Sequence, residues 1–221
     1  MSTGPRQLAL ALHHAESFAR EDFLSGPSNA AALALIDCWP QWPNRAIVLT
    51  GPEGSGKSHL AAIWSDAAGA RLVAARALDQ AKVPATLATG ALVIEDVAAG
   101  AFDERALFHV LNLAREQDAF MLLTARMPPA AWKVTIRDLD SRLKALPIVS
   151  LAPPDDTLLR AVLVKLFADR QIAVEEALIS YVATHIERSF AAARAVVGRL
   201  DGEAMRRKRA LTRALAAELL G

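Results

Sequence analysis

Cysteine occurs once in these 221 residues, as Cys38, so no internal disulfide can form and a reducing cytoplasm is the expected setting. Long apolar runs are missing too: nothing approaches the roughly eighteen residues that a helix needs to span a bilayer. Nor does either sign of charge dominate, with 25 lysines and arginines against 24 acidic residues and a net charge of +1. So even a balance makes no electrostatic case for a dedicated nucleic-acid-binding protein, although it leaves room for a local patch. No low-complexity tract or internal repeat stands out. His13 and His14 have no cysteine or carboxylate cluster at metal-ligand spacing, which argues against a metal there. What is present, 53% hydrophobic and 22% charged, suffices for one α/β domain plus a small appendage.

Near the start, "RQLALALHH" (6–14) alternates apolar residues at Leu8, Leu10 and Leu12 behind Gln7. It fails as a signal peptide, because the run is short and His13, His14, Glu16 and Arg20 follow at once. Alternation fits either a half-buried first strand or a peptide that docks extended into a partner's pockets.

Farther along, β-rich runs alternate with helical patterns: "AIVLT" (46–50), "RLVAA" (71–75), "ALVIE" (91–95), "FMLLT" (120–124) and "PIVSL" (147–151). Five such strands predict a parallel sheet covered by helices. After "APPDD" (152–156) only helical periodicity continues, which suggests a small all-helical lid over 153–221 behind an α/β core over 18–152. Trp39, Trp42 and Trp132 read as packing residues near loop ends, since no basic groove surrounds them.

The chemistry begins at "GPEGSGKSHL". Gly51, Gly54 and Gly56 allow a tight turn after the first strand, so that successive N–H groups and the next helix's N-terminus surround a polyphosphate. Lys57 then reaches the β- and γ-phosphates, and the Ser58 hydroxyl is placed to ligate Mg²⁺. A P-loop also needs an acidic strand end, and "ALVIED" supplies Glu95 and Asp96. Glu95 takes the position of the metal-linked acid and Asp96 that of the water-activating acid. The commonest pair is Asp then Glu. The reversed order shifts both geometries, so binding should survive the change better than turnover.

With these motifs placed, the chain resembles an AAA+ module, a five-stranded P-loop core followed by a helical lid, and its details resemble the bacterial replication initiator family, DnaA. In "EDFLSGPSNAAAL" (21–33), Phe23 and Asn29 match that family's motif over the adenine. "GPEGSGKSHL" keeps the family's His and Leu after the loop, so the resemblance implies nucleotide contacts from Gly51, Pro52, Glu53, Gly54, Ser55, Gly56, Lys57, Ser58 and His59. "LLTARMPP" (122–129) resembles the sensor-1 strand, but Arg126 stands where the initiators have an acid, which leaves Thr124 as the polar contact. "LDSRL" (139–143) resembles the arginine-finger box around Arg142, and "IERSF" (186–190) resembles sensor 2, with Arg188 approaching the phosphates. The plainer readings are a pair from Arg142 to Asp138 or Asp140, and one from Arg188 to Glu187.

The initiators end in a helix-turn-helix domain, whereas this sequence ends with "LTRALAAELLG". The expectation is therefore the related DnaA regulatory inactivator family, Hda in its alphaproteobacterial form, a short N-terminal peptide (1–17) followed by one AAA+ module. That resemblance implies ADP or ATP with Mg²⁺ as cofactors, and DnaA and the DNA-loaded sliding clamp as partners, with no sequence-specific DNA reading. "QLALAL" matches the family's clamp-binding peptide, with Gln7 in a polar site and Leu8, Leu10 and Leu12 along the apolar groove. Two other classes stay open: an autonomous ATPase that loads a helicase or remodels a complex, and an adaptor locked to its nucleotide that only scaffolds. Vigorous intrinsic turnover would mark the first.

Overall fold

Buried strands set the architecture. Residues 18–221 are described by a computed structural model, and the candidate peptide at Gln7, Leu8, Leu10 and Leu12 lies outside them. Strands β1 (Ala46–Thr50), β2 (Arg71–Ala74), β3 (Ala91–Val97), β4 (Phe120–Ala125) and β5 (Ile148–Ser150) form one parallel sheet in the order β2-β3-β4-β1-β5. Because strand side chains alternate, successive residues of β1 enter different cores: Val48 on one face, Ile47 and Leu49 on the other. Helices α1 (Ala30–Asp37) and α2 (Lys57–Ala68) cover the Ile47 face, while α3 (Val83–Thr86), α4 (Glu104–Glu116) and α5 (Arg137–Lys144) cover the Val48 face. Among the described residues β5 pairs only with β1, and it is shorter than the predicted 147–151.

One irregularity matters for chemistry. β3 runs two residues past the predicted 91–95, and its pairing with β4 shifts between Ile94 and Val97. Leu92, Ile94 and Val97 all pack in the same core, which strict alternation forbids for Val97. An extra residue restores the parity: Asp96 adopts φ 57°, in the left-handed region, and bulges from the ladder.

Beyond residue 152 the described chain is helical: α6 (Asp156–Asp169), α7 (Glu176–His185), α8 (Phe190–Arg207) and α9 (Arg213–Leu220) share a core built on Leu159, Leu163, Phe167, Val182, Val197 and Leu200. Side-chain oxygens cap three of them. Asp155 accepts from the Leu158 N–H, Ser189 from Ala192 and Thr212 from Leu215, each worth about 1 kcal/mol. The predicted packing of two tryptophans is also seen: Trp42 stacks on buried Trp64 with centroids 4.9 Å apart, and buried Trp132 donates to the Met127 carbonyl at 2.8 Å.

Candidate functional site

The loop between β1 and α2 is shaped by its glycines. Gly51 has φ 154°, and a Cβ there would lie 2.6 Å from the Leu151 carbonyl oxygen; Gly54, at φ 70°, would drive one to 2.9 Å from the Ser189 Cβ. The start of α8 therefore sits directly on the loop, and the Phe190 N–H donates to the Gly54 carbonyl at 2.8 Å. Lys57, at the first position of α2, is buried, and its ammonium donates to the carbonyls of Gly51 (2.8 Å) and Pro52 (2.7 Å). Burial holds this ammonium below lysine's ordinary value, against the opposing pull of Asp96. Ser58 is exposed beside it, and Glu53 pairs with Arg126 across the rim at 2.6 Å.

Two buried oxygens near this loop lack partners, Ser55 Oγ and Glu95 Oε1. An orphaned buried acceptor is costly, so each marks a place where a donor or cation fits. Asp96 is exposed past the bulge, and its N–H donates to the Thr124 hydroxyl at 3.2 Å, so Thr124 positions the acidic turn. Among the described residues no three His, Cys, Asp or Glu side chains gather, so Ser58 and Glu95 would need phosphate oxygens and water to complete a magnesium shell.

Beside the loop opens a cavity of about 630 Å³, of the size that takes a nucleotide. Phe23 and His59 line one wall; Lys165, Phe190, Ala191 and Arg194 line the other. His59 packs its edge between the rings of Phe18 and Phe23, 5.3 and 5.2 Å away, and its Nε2 lies 3.1 Å from the Ala19 carbonyl. The mouth is strapped by Lys165, which binds Asp22 of the leading segment at 2.6 Å and Asp169 of its own helix at 2.9 Å.

Of the expected nucleotide contacts, Phe23, Gly56 and His59 line this cavity, whereas the rest of the loop, Thr124, Asn29 and Arg188 do not. Asn29 is buried, accepting from the Gly26 N–H and donating to the Leu24 carbonyl, so its amide shapes the turn behind Phe23. Arg188, expected at the phosphates, is exposed and pairs with Asp156 at 2.9 Å, not with Glu187 as its plainer reading had it. Arg142 lies elsewhere. It lines a second cavity with Asn44, Arg45, Ala46 and Met121, at the N-terminal ends of β1 and β4, whereas Lys57 stands beyond the C-terminal end of β1. Five strand residues, about 16 Å, separate those two ends. The Arg142 guanidinium donates to Asn112 at 2.5 Å, pairs with Asp138 at 3.0 Å and sits 5.2 Å from the Phe108 ring.

No family profile and no curated protein sequence matches the chain. Solved structures do. Domain III of the Thermotoga maritima replication initiation protein DnaA superposes with a TM-score of 0.74 at 18% identity, over 92% of this chain and 95% of that one. AMPPCP-bound DnaA from Aquifex aeolicus gives 0.69 at 17%, over 86% and 68%. The Thermotoga maritima RuvB Holliday junction branch migration motor gives 0.73 at 17%, over 91% and 70%. The fold is that of an AAA+ module.

Within this fold, the sequence reading missed Arg194 and the Asp22–Lys165 strap. Arg194 shares one face of α8 with Phe190, Ala191 and Ala195, and all four line the cavity. Helical spacing from Phe190 was the signal available for it. The strap joins positions 143 apart in sequence, and no local pattern announces such a pair.

Proposed function

We propose that this AAA+ module is a nucleotide-binding regulator of replication initiation, which stimulates ATP hydrolysis by DnaA bound near a DNA-loaded sliding clamp. The single observation that carries the reading is the place of Arg142, at the far end of β1 from its own P-loop. A guanidinium there cannot serve its own site, and it completes another's by leaving Asn112 and Asp138.

The chain divides, on this reading, into a clamp-binding peptide (1–17), a nucleotide-binding core (18–152) and a lid (153–221). Phe23 and His59 hold the adenine end of ADP or ATP in the cavity. The N–H groups of Gly54, Gly56, Lys57 and Ser58, with Gly51, Pro52, Glu53 and Ser55 shaping the turn, surround its phosphates, and Lys57 faces them. Ser58 and Glu95 hold the magnesium ion, whose chemistry is to neutralise phosphate charge. The buried, partnerless oxygens of Ser55 and Glu95 and the glycine-shaped loop support this fit. Asp96 stands where it can orient water, but its bulged backbone and short side chain favour holding the nucleotide over hydrolysing it. Arg188 is released from Asp156 at little cost, because an exposed pair of this kind contributes about 0.2–1 kcal/mol.

Arg142 then acts in trans. As water attacks the γ-phosphorus of ATP held by DnaA and ADP leaves, negative charge spreads over the transferring group, and an arginine delivered by a neighbour stabilises it, accelerating the step by about 10³ to 10⁵ in well-studied cases. The contacts to Asp138, Asn112 and Phe108 park the side chain until a partner docks. Gln7, Leu8, Leu10 and Leu12 tether the module to the clamp.

The test is ATP hydrolysis by DnaA with clamp-loaded DNA and either wild-type protein or Arg142→Ala. The variant should keep its own nucleotide-dependent thermal shift yet reduce DnaA turnover to the level seen without regulator. Undiminished stimulation would remove Arg142 from the mechanism.

A further inference from the structure

Between α8 and α9 lies the densest positive charge in the chain. Arg206, Arg207, Lys208, Arg209 and Arg213 fall within eight positions that hold no carboxylate, while the remaining residues carry twenty cations against twenty-four acids. The near-neutral total thus hides a segregated patch.

Part of this charge has a local explanation. Arg206 and Arg207 pair with Glu203, Arg207 also with Glu218, and cations at the C-terminal end of α8 complement its dipole. That explanation fails for the rest. Arg213 is the first residue of α9, at the end where the dipole opposes a cation, and Arg209 precedes the same helix start. Lys208 and Arg209 are exposed and have no ion-pair partner among the described residues. Their backbone is nonetheless fixed: Lys208 adopts φ 53° and ψ 41°, and the N–H groups of both residues bond to the Ala204 carbonyl.

Beside the turn stands an aromatic stack. Arg213 lies 5.5 Å from the Tyr181 ring centroid, and His185 stacks on Tyr181 with centroids 3.9 Å apart. Unneutralised cations on a fixed backbone turn, next to an amphipathic ring stack, suit a repeating phosphate backbone with sugar and base edges. A membrane surface would demand an apolar face as well, and among the described residues only Met205 is a large exposed apolar residue next to the turn.

We propose that the α8–α9 turn, through Lys208, Arg209 and Arg213 beside Tyr181, is a sequence-independent contact for a DNA phosphate backbone. The inference is independent of the nucleotide site and of Arg142.

The experiment is fluorescence anisotropy of a labelled random-sequence duplex with the full-length protein across a salt series. Three phosphate contacts predict a slope of log K on log salt of about −3, since each contributes about −0.9. Lys208→Asn with Arg209→Gln should bring the slope to about −1, asparagine being tolerated in the left-handed conformation. Arg209→Gln alone should lower it by about one and guards against loss of the turn. Arg76→Gln with Arg105→Gln, exposed cations on the core, should leave it unchanged. A wild type without salt-dependent binding overturns the proposal, as does an equal loss in the core variant. Binding to phosphatidylserine vesicles with none to duplex overturns it in favour of a membrane.

Discussion

Replacing Lys57 by Met removes one ammonium and keeps most of its volume, so the effect on nucleotide separates cleanly from the effect on the fold. The buried side chain makes two hydrogen bonds to loop carbonyls, but burial also holds its charged form at a disadvantage. These effects oppose each other, and the ligand-free variant should stay within about 1 kcal/mol of wild type. Nucleotide at about 100 times its Kd stabilises the wild type by about 2.7 kcal/mol, which for a chain of this size raises Tm by roughly 5–11 °C. Loss of two charge-assisted phosphate contacts of about 1.4 kcal/mol each weakens binding about 100-fold. The same nucleotide concentration then gives about 0.4 kcal/mol and a shift of only about 1–2 °C. Scanning fluorimetry with ADP or ATP and magnesium measures both shifts, and equal shifts would refute the site. A pH signature follows as well. The folded-state value of Lys57 lies below the unfolded 10.5, so the native state binds fewer protons in the alkaline window just beneath it. Stability gains a contribution there as pH rises, and Lys57→Met should lose that contribution.

Gln7→Ala with Leu10→Ala should abolish retention on immobilised clamp while leaving Tm and nucleotide binding unchanged, since one lost anchor commonly costs about 2 kcal/mol; a lowered Tm would instead favour the buried-strand reading. Asp22→Asn cuts the strap to Lys165, so amide hydrogen exchange over residues 20–24 and in α6 should accelerate, and unchanged protection would show that the strap holds nothing. The Arg206 and Arg207 hydrogen bonds depress the Glu203 carboxyl from 4.5 to about 2, so the α8 terminus should weaken only as pH falls through that window. An NMR titration of Glu203 with a midpoint near 4.5 would show that these pairs do not persist in solution.

The P-loop and the sheet were legible because their information is local. Glycine spacing between a strand and a helix encodes a backbone path, and the unbroken apolar runs in "AIVLT" and "FMLLT" encode burial on two faces; the observed strands begin at the expected Ala46 and Phe120. Four helices after residue 152 were legible for the same reason, from apolar periodicity alone. The bulge at Asp96 was not, because the extra residue in β3 is defined only by β4 beside it. The surroundings of Arg188 and Arg142 were half visible. Sequence spacing suggested a pair from Arg142 to Asp138 one turn away, but Asn112 and Phe108 belong to α4 and meet it only when α4 and α5 pack on the same face. Asn29 likewise was placed near the nucleotide by motif and found bonded to the backbone of its own turn. The glycine loop and the strands could be read, and the candidate residues chosen, from neighbours in the chain, since those depend on local spacing. Tertiary structure alone brought Arg194 and Lys165 to the cavity wall, bound Asp22 to Lys165 and set Arg142 at the opposite end of β1, because contacts between distant segments exist only once the sheet and lid have closed on their cores.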